Sequence, residues 1–190
     1  MVIINIANCG GIMEYKEILY EAEDGLAEIT LNNPEIMNAM SETMLQEWID
    51  ALEKSEADNS VKVVMVTGKG RAFCAGGNVK NVEESTRPES RRPGGPRSGP
   101  FGGIITATKN LKKPYIAAVN GAAIGGGMDM VSLTDIRLAS DSARFGTGYI
   151  RMANIPALGG FFLLPRLVGV GNALDLLWTG RLMGSEEALK

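Results

Sequence analysis

An α/β fold is predicted by three features of the sequence. The runs "VKVVMVTG" (61–68) and "YIAAV" (115–119) are short and apolar, and the first is β-branched toward both faces, as in strands buried within a sheet. Each runs into a glycine-bearing turn, "FCAGGN" after the first and "NGAAIGGG" after the second. Helical periodicity frames these units. Met44, Leu45, Trp48, Ile49 and Leu52 form one apolar face, whereas Glu42, Glu47, Asp50 and Glu53 look outward.

Taken in order, residues 14–21 and 24–31 read as two strands around an Asp-Gly turn. "NNPEIMNAM" reads as a loop, and Ser41 as the cap of the first helix. Residues 84–103 hold four prolines, five glycines and four arginines, so no regular element is expected there. That stretch reads first as a solvated, mobile loop; the alternative is a lid whose arginines meet an anionic ligand. A helix around 103–112 precedes the strand 115–119. After the glycine run come a helix from about 126 to 133, the short strand "DIRLA", and helical stretches near 160–167 and 171–179. Ser185 reads as the cap of a further helix that stops after one turn. Residues 1–12 precede a second methionine, Met13, and read as an extension outside the fold.

Composition narrows the chemistry. A chain of 190 residues with 45% hydrophobic content suits one globular core. No apolar run long enough to span a bilayer is expected, and no basic region precedes the apolar start, so a cytoplasmic protein without membrane attachment is expected. The net charge of −3 gives no reason to expect nucleic acid as a partner. Two cysteines, Cys9 and Cys74, make no disulfide framework, and Cys74 reads as a small buried apolar residue. Histidine is absent altogether, which removes Ser-His-Asp and Cys-His catalysis and H-E-x-x-H zinc sites. No metal or cofactor is expected. Any acid–base work falls to carboxylates, hydroxyls, lysines or the backbone.

The two strand–glycine–helix turns therefore carry the chemistry. Helix starts expose backbone N–H groups, and missing side chains let a ligand atom approach them. A phosphate fits poorly, since neither G-x-x-x-x-G-K-[ST] nor G-x-G-x-x-G is present at these turns. An oxyanion held by one N–H from each turn fits better. The alternative is that the glycines serve tight strand–helix packing alone.

The segments "RAFCAGGNVK", "KKPYIAAVNGAAIGGGMDM", "TDIRLASDSARFGTGYIRM" and "LPRLVGVGNALDLLWTGRLMGSEEALK" resemble the enoyl-CoA hydratase/isomerase, or crotonase, superfamily, in order from about Tyr15 onward. The resemblance implies a ClpP/crotonase-like ββα spiral over residues 13–190, with the C-terminal trimerisation helices of that family apparently missing, and an acyl-CoA substrate. It implies homotrimers or hexamers for a full-length chain. It places the oxyanion donors at the N–H groups of Gly77 and Gly126, with Ala75, Gly76 and Gly125 lining the substrate site. The first catalytic glutamate of the hydratases falls on Asp129, one methylene shorter; its alternative role is to complement the helix dipole. The second falls on Tyr149, which brings a phenol instead of a carboxylate, able to donate a hydrogen bond or simply to pack. The family's aspartate after the first donor is replaced by Asn78, and Asp135 reads as a structural cap or a buried hydrogen-bonding partner. Hydration and isomerisation of an enoyl-CoA are both implied; thioester hydrolysis, decarboxylation and non-catalytic acyl-CoA binding are the alternatives.

Overall fold

The computed structural model describes residues 15–77, 99–156 and 158–190. The extension 1–12, Cys9, Asn78 and most of the stretch 84–103 lie outside the described residues. Strands β1 (Ile18–Glu23) and β2 (Leu26–Leu31) pair antiparallel. Asp24 and Gly25 between them both have positive φ, 50° and 86°, and make the tight turn, so β1 runs to Glu23, two residues past its expected end. Strands β3 (Val63–Gly68), β5 (Tyr115–Val119) and β7 (Ile136–Ala139) continue this sheet in parallel, in the order β1-β2-β3-β5-β7.

After β3, β5 and β7 the chain turns sharply into a second strand of another sheet: β4 (Ala72–Cys74), β6 (Ala122–Ile124) and β8 (Arg144–Gly146). With β9 (Met183–Gly184) they form the order β4-β6-β8-β9. The helices follow the strand pairs: α1 (Glu42–Ala57) after β2, then α2 (Pro100–Asn110), α3 (Gly126–Ser132) and α4 (Gly160–Thr179), with α5 (Ser185–Ala188) last. The repeating unit is thus ββα, as the resemblance implies. The short strands β4 and β6 occupy stretches that the residue pattern alone reads as turns.

Ser41 caps α1 as expected, its Oγ accepting from Met44 N at 3.0 Å. Met44, Leu45, Trp48 and Leu52 are buried in one cluster with Ile29, Val64 and Val66. The Trp48 indole N–H donates to Tyr115 Oη at 2.9 Å, which satisfies a buried donor where α1 meets the sheet. The outward reading of Glu47 and Asp50 needs correction. Glu47 accepts from the backbone N–H groups of Lys16 and Glu17, and Asp50 from the Tyr15 hydroxyl, so both tie the entering chain to α1.

Other expectations shift as well. Strand β3 alternates half-buried and buried residues, so only one of its faces is fully covered. Helix α2 begins at Pro100, inside the stretch expected to stay irregular, since proline at a first helical turn forfeits no hydrogen bond. Ser185 does not cap α5: Gly184 holds that position, and Ser185 Oγ donates to Asp141 O. Asp135 does accept a hydrogen bond, from Tyr115 N at 2.8 Å, but it is exposed and not buried. Helix α4 is, by length and composition alone, apolar enough to cross a membrane, against the expectation of no such run. It is broken at Gly169 (φ 76°, ψ 158°), where the sequence predicts two separate helical stretches.

Candidate active site

The two glycine turns meet in space. A Cβ on Gly76 would lie 2.8 Å from Ile124 O and 3.2 Å from Gly126 N, and one on Gly126 would lie 3.7 Å from Gly76 Cα. Gly76 (φ +92°) sits in a left-handed conformation between Ala75 and Gly77, just after β4. Its carbonyl accepts from Met40 N at 2.7 Å. The peptide is planar and trans, so the N–H of Gly77 must point the opposite way, away from Met40. Gly126 opens α3, where its N–H has no intrahelical acceptor.

The three consecutive glycines do different jobs. Gly125 (φ +55°) takes a turn that L residues avoid, and its N–H donates to Gly146 O at 2.8 Å. Gly127 packs directly on β4: a Cβ there would lie 2.1 Å from Cys74 O. Close packing therefore explains Gly127, and ligand approach is not needed for it. Gly126 faces the end of Met40, whose Cε would lie 2.2 Å from its Cβ. Cys74 is fully buried as expected, with its thiol pushed up to about 12 by desolvation.

Asp129 stands one turn after Gly126 on the same face of α3, and helical side chains lean toward the N-terminus. It is only 2% exposed. The Tyr149 hydroxyl donates to Oδ2 at 2.6 Å, and Leu158 N donates to the same oxygen at 3.2 Å. Desolvation raises the Asp129 pKa from 3.8 to about 6, and the two hydrogen bonds oppose the rise. Such a carboxylate is ionised at neutral pH yet basic enough to take a proton. Tyr149 opens a short 3-10 turn (Tyr149–Met152) after β8, and its ring reaches the glycine run: Cζ lies 4.0 Å from the position of a Cβ on Gly125.

The sequence-predicted residues Ala75, Gly76, Gly77, Gly125, Gly126, Asp129 and Tyr149 thus come together. Two participants escape the sequence reading. Leu158 supplies its backbone N–H, and Gly160, the first residue of α4, leaves room for the carboxylate. A Cβ on Gly160 would lie 1.9 Å from Asp129 Oδ1 and 2.6 Å from its Cγ. The available signal was the pair Gly159-Gly160 directly before an apolar helical stretch. Among the described residues no cluster of three or more His, Cys, Asp or Glu could hold a metal ion.

The family model for enoyl-CoA hydratase/isomerase matches residues 21–190. A short-chain-enoyl-CoA hydratase of Clostridium acetobutylicum is 36% identical over 180 residues, covering 94% of this chain and 67% of its own. A trans-2-decenoyl-[acyl-carrier-protein] isomerase of Streptococcus mutans is 29% identical, with 94% and 68% covered. The crystal structure of an enoyl-CoA hydratase from Geobacillus kaustophilus superposes with a TM-score of 0.84 at 33% identity, covering 92% of this chain and 66% of that one. The chain therefore spans about two thirds of the length of these relatives. Its order of ββα units, its paired glycine turns and this match over nearly the whole length agree: the chain belongs to the enoyl-CoA hydratase/isomerase family.

Proposed function

We propose that the chain holds the thioester carbonyl of an enoyl-CoA between the N–H groups of Gly77 and Gly126, and that Asp129 shuttles one proton along the acyl chain. The reaction is double-bond isomerisation. Polarising the carbonyl acidifies the α C–H of a β,γ-enoyl thioester. Ionised Asp129 removes that proton, the dienolate oxygen rests on the two amides, and the Asp129 carboxylic acid returns the proton to Cγ. No atom is gained or lost. Each backbone donor is worth about 3 kcal/mol of transition-state stabilisation.

One observation carries this reading: the residue in the second acid–base position, Tyr149, donates its hydroxyl to Asp129 at 2.6 Å. A pair of independent carboxylates, one to activate water and one to protonate carbon, is replaced by a single carboxylate with a phenol attached. The test offers β,γ-enoyl-CoA and α,β-enoyl-CoA separately in deuterated water and follows the products by mass spectrometry. Conversion of β,γ to α,β isomer, with slow hydration, is expected. Rapid formation of β-hydroxyacyl-CoA without isomerisation overturns the one-carboxylate reading, and release of free CoA favours thioester hydrolysis. For assembly we propose a homotrimer, supported by the exposed apolar side chains Ile155, Phe161, Phe162, Val170 and Trp178. A monomer in sedimentation overturns that part.

A further inference from the structure

We propose that Asn38 is a positioning residue for the Gly77 amide: it locks the loop 33–40 in the one shape that aims this N–H into the site. The inference rests on the carbonyl-binding role proposed above for Gly77. The difficulty it solves is local. The Gly76–Gly77 peptide lies between two glycines, so neither side chain favours one orientation over its flip. A catalytic amide needs a fixed direction, and here an external hydrogen bond fixes it: Met40 N donates to Gly76 O at 2.7 Å, which turns the Gly77 N–H the other way. One step back, Ala75 N donates to Met37 O at 3.0 Å. Residues 37 and 40 thus grip both sides of the Ala75–Gly76 step.

That grip demands an unusual loop. Met37 and Asn38 both have φ of 54°, a left-handed pair that non-glycine residues adopt only when their surroundings hold them. Asn38 does the holding. It is 0% exposed, and its Nδ2 lies 3.0 Å from Lys69 O, 2.9 Å from Ala72 O and 3.2 Å from Phe73 O. Two amide hydrogens therefore serve three carbonyls, one just after β3 and two in β4. Its Oδ1 accepts from Asn33 N at 2.9 Å, closing the loop on itself. Asparagine is suited to the place because it tolerates the left-handed region and brings donor and acceptor on one short side chain. The Asn38 side chain anchors the loop to the strand that leads into the first glycine turn, and the loop backbone then sets the peptide at the end of that turn.

The experiment reads the carbonyl directly. Cinnamoyl-CoA absorbs at longer wavelength when its thioester oxygen accepts strong hydrogen bonds. The wild-type protein is expected to red-shift the bound probe, and Asn38→Gly, which keeps the backbone freedom but removes the anchor, is expected to lose most of that shift. Turnover should drop about ten- to a hundredfold, less than complete removal of a donor. Affinity for an S-alkyl CoA thioether, which has no carbonyl, should not change. Val66→Ala, a buried substitution in β3 outside the loop, controls for lost stability and should keep the shift. A wild-type shift retained in Asn38→Gly overturns the clamp while leaving the carbonyl-binding role intact. A wild-type protein that gives no shift overturns that role, and the clamp with it. If Asn38→Gly fails to fold, Asn38→Ser is read in the same way. Hydrogen exchange of the Met40 amide in the wild-type protein adds an arm that needs no variant. Exchange only through global unfolding is expected, and exchange at open-loop rates overturns the clamp.

Discussion

Asp129→Asn is expected to lose turnover by about 10²–10⁴, the span of a general base, while making the protein more stable above pH 6. The two effects have one cause. Burial raises the Asp129 pKa from 3.8 to about 6, so the folded protein favours the protonated acid. That contribution is fully present below about pH 4 and is lost as the pH rises through about 6, where the buried group must ionise. A difference of about two pKa units corresponds to roughly 3 kcal/mol. The neutral amide escapes that loss and can still accept from the Tyr149 hydroxyl, so a gain of roughly 1–3 kcal/mol is expected near pH 8 and almost none near pH 4. Urea unfolding of both proteins at the two pH values checks the stability half, and steady-state kinetics the other. Equal stability at both pH values would mean that Asp129 is not held at an energetic disadvantage.

Gly160→Ala is expected to lower turnover at least about a hundredfold without touching a group that reacts, because misplacing a catalytic group by about 1 Å has that effect. The new Cβ would fall 1.9 Å from Asp129 Oδ1, so the carboxylate must leave its place beside Tyr149 and Leu158 N. Overpacking of this kind also destabilises by about 1–3 kcal/mol. A double-mutant cycle separates this from a general defect in α4. In an Asp129→Ala background both the carboxylate oxygens and Cγ are gone, and Gly160→Ala should then be nearly neutral for stability. Wild-type kcat/KM in Gly160→Ala would show that the carboxylate does not work from its observed position.

The elements with strong local signals are legible in the sequence: the first hairpin, α1 with its Ser41 cap, β3, β5 and α3. The break of α4 at Gly169 also falls where the pattern divides the helix. What escapes are β4, β6, β8 and β9, which are two or three residues long. Strands that short have no room for a period-two pattern; pairing with distant partners defines them. The site divides in the same way. Gly77, Gly126, Asp129 and Tyr149 are legible through the resemblance and the lack of any histidine. Gly160, Leu158 and Asn38 act through space and backbone, across 31, 29 and 35 positions of sequence, for example from Gly160 to Asp129, Leu158 to Asp129 and Asn38 to Phe73. The glycine run shows how a pattern can mislead: ligand approach is one reason for glycine, but Cys74 O beneath Gly127 is a packing reason of equal force.

The most direct test of the single-carboxylate site is the pH dependence of kcat/KM for wild-type and Tyr149→Phe proteins on the same enoyl-CoA. The wild-type rate should rise with pH through about 6 as Asp129 ionises. Tyr149→Phe removes the hydrogen bond that holds the carboxylate pKa down, so its rising limb should move to higher pH while substantial activity survives at the plateau. An unmoved limb together with abolished turnover would contradict this, and would make the Tyr149 hydroxyl the group that transfers the proton.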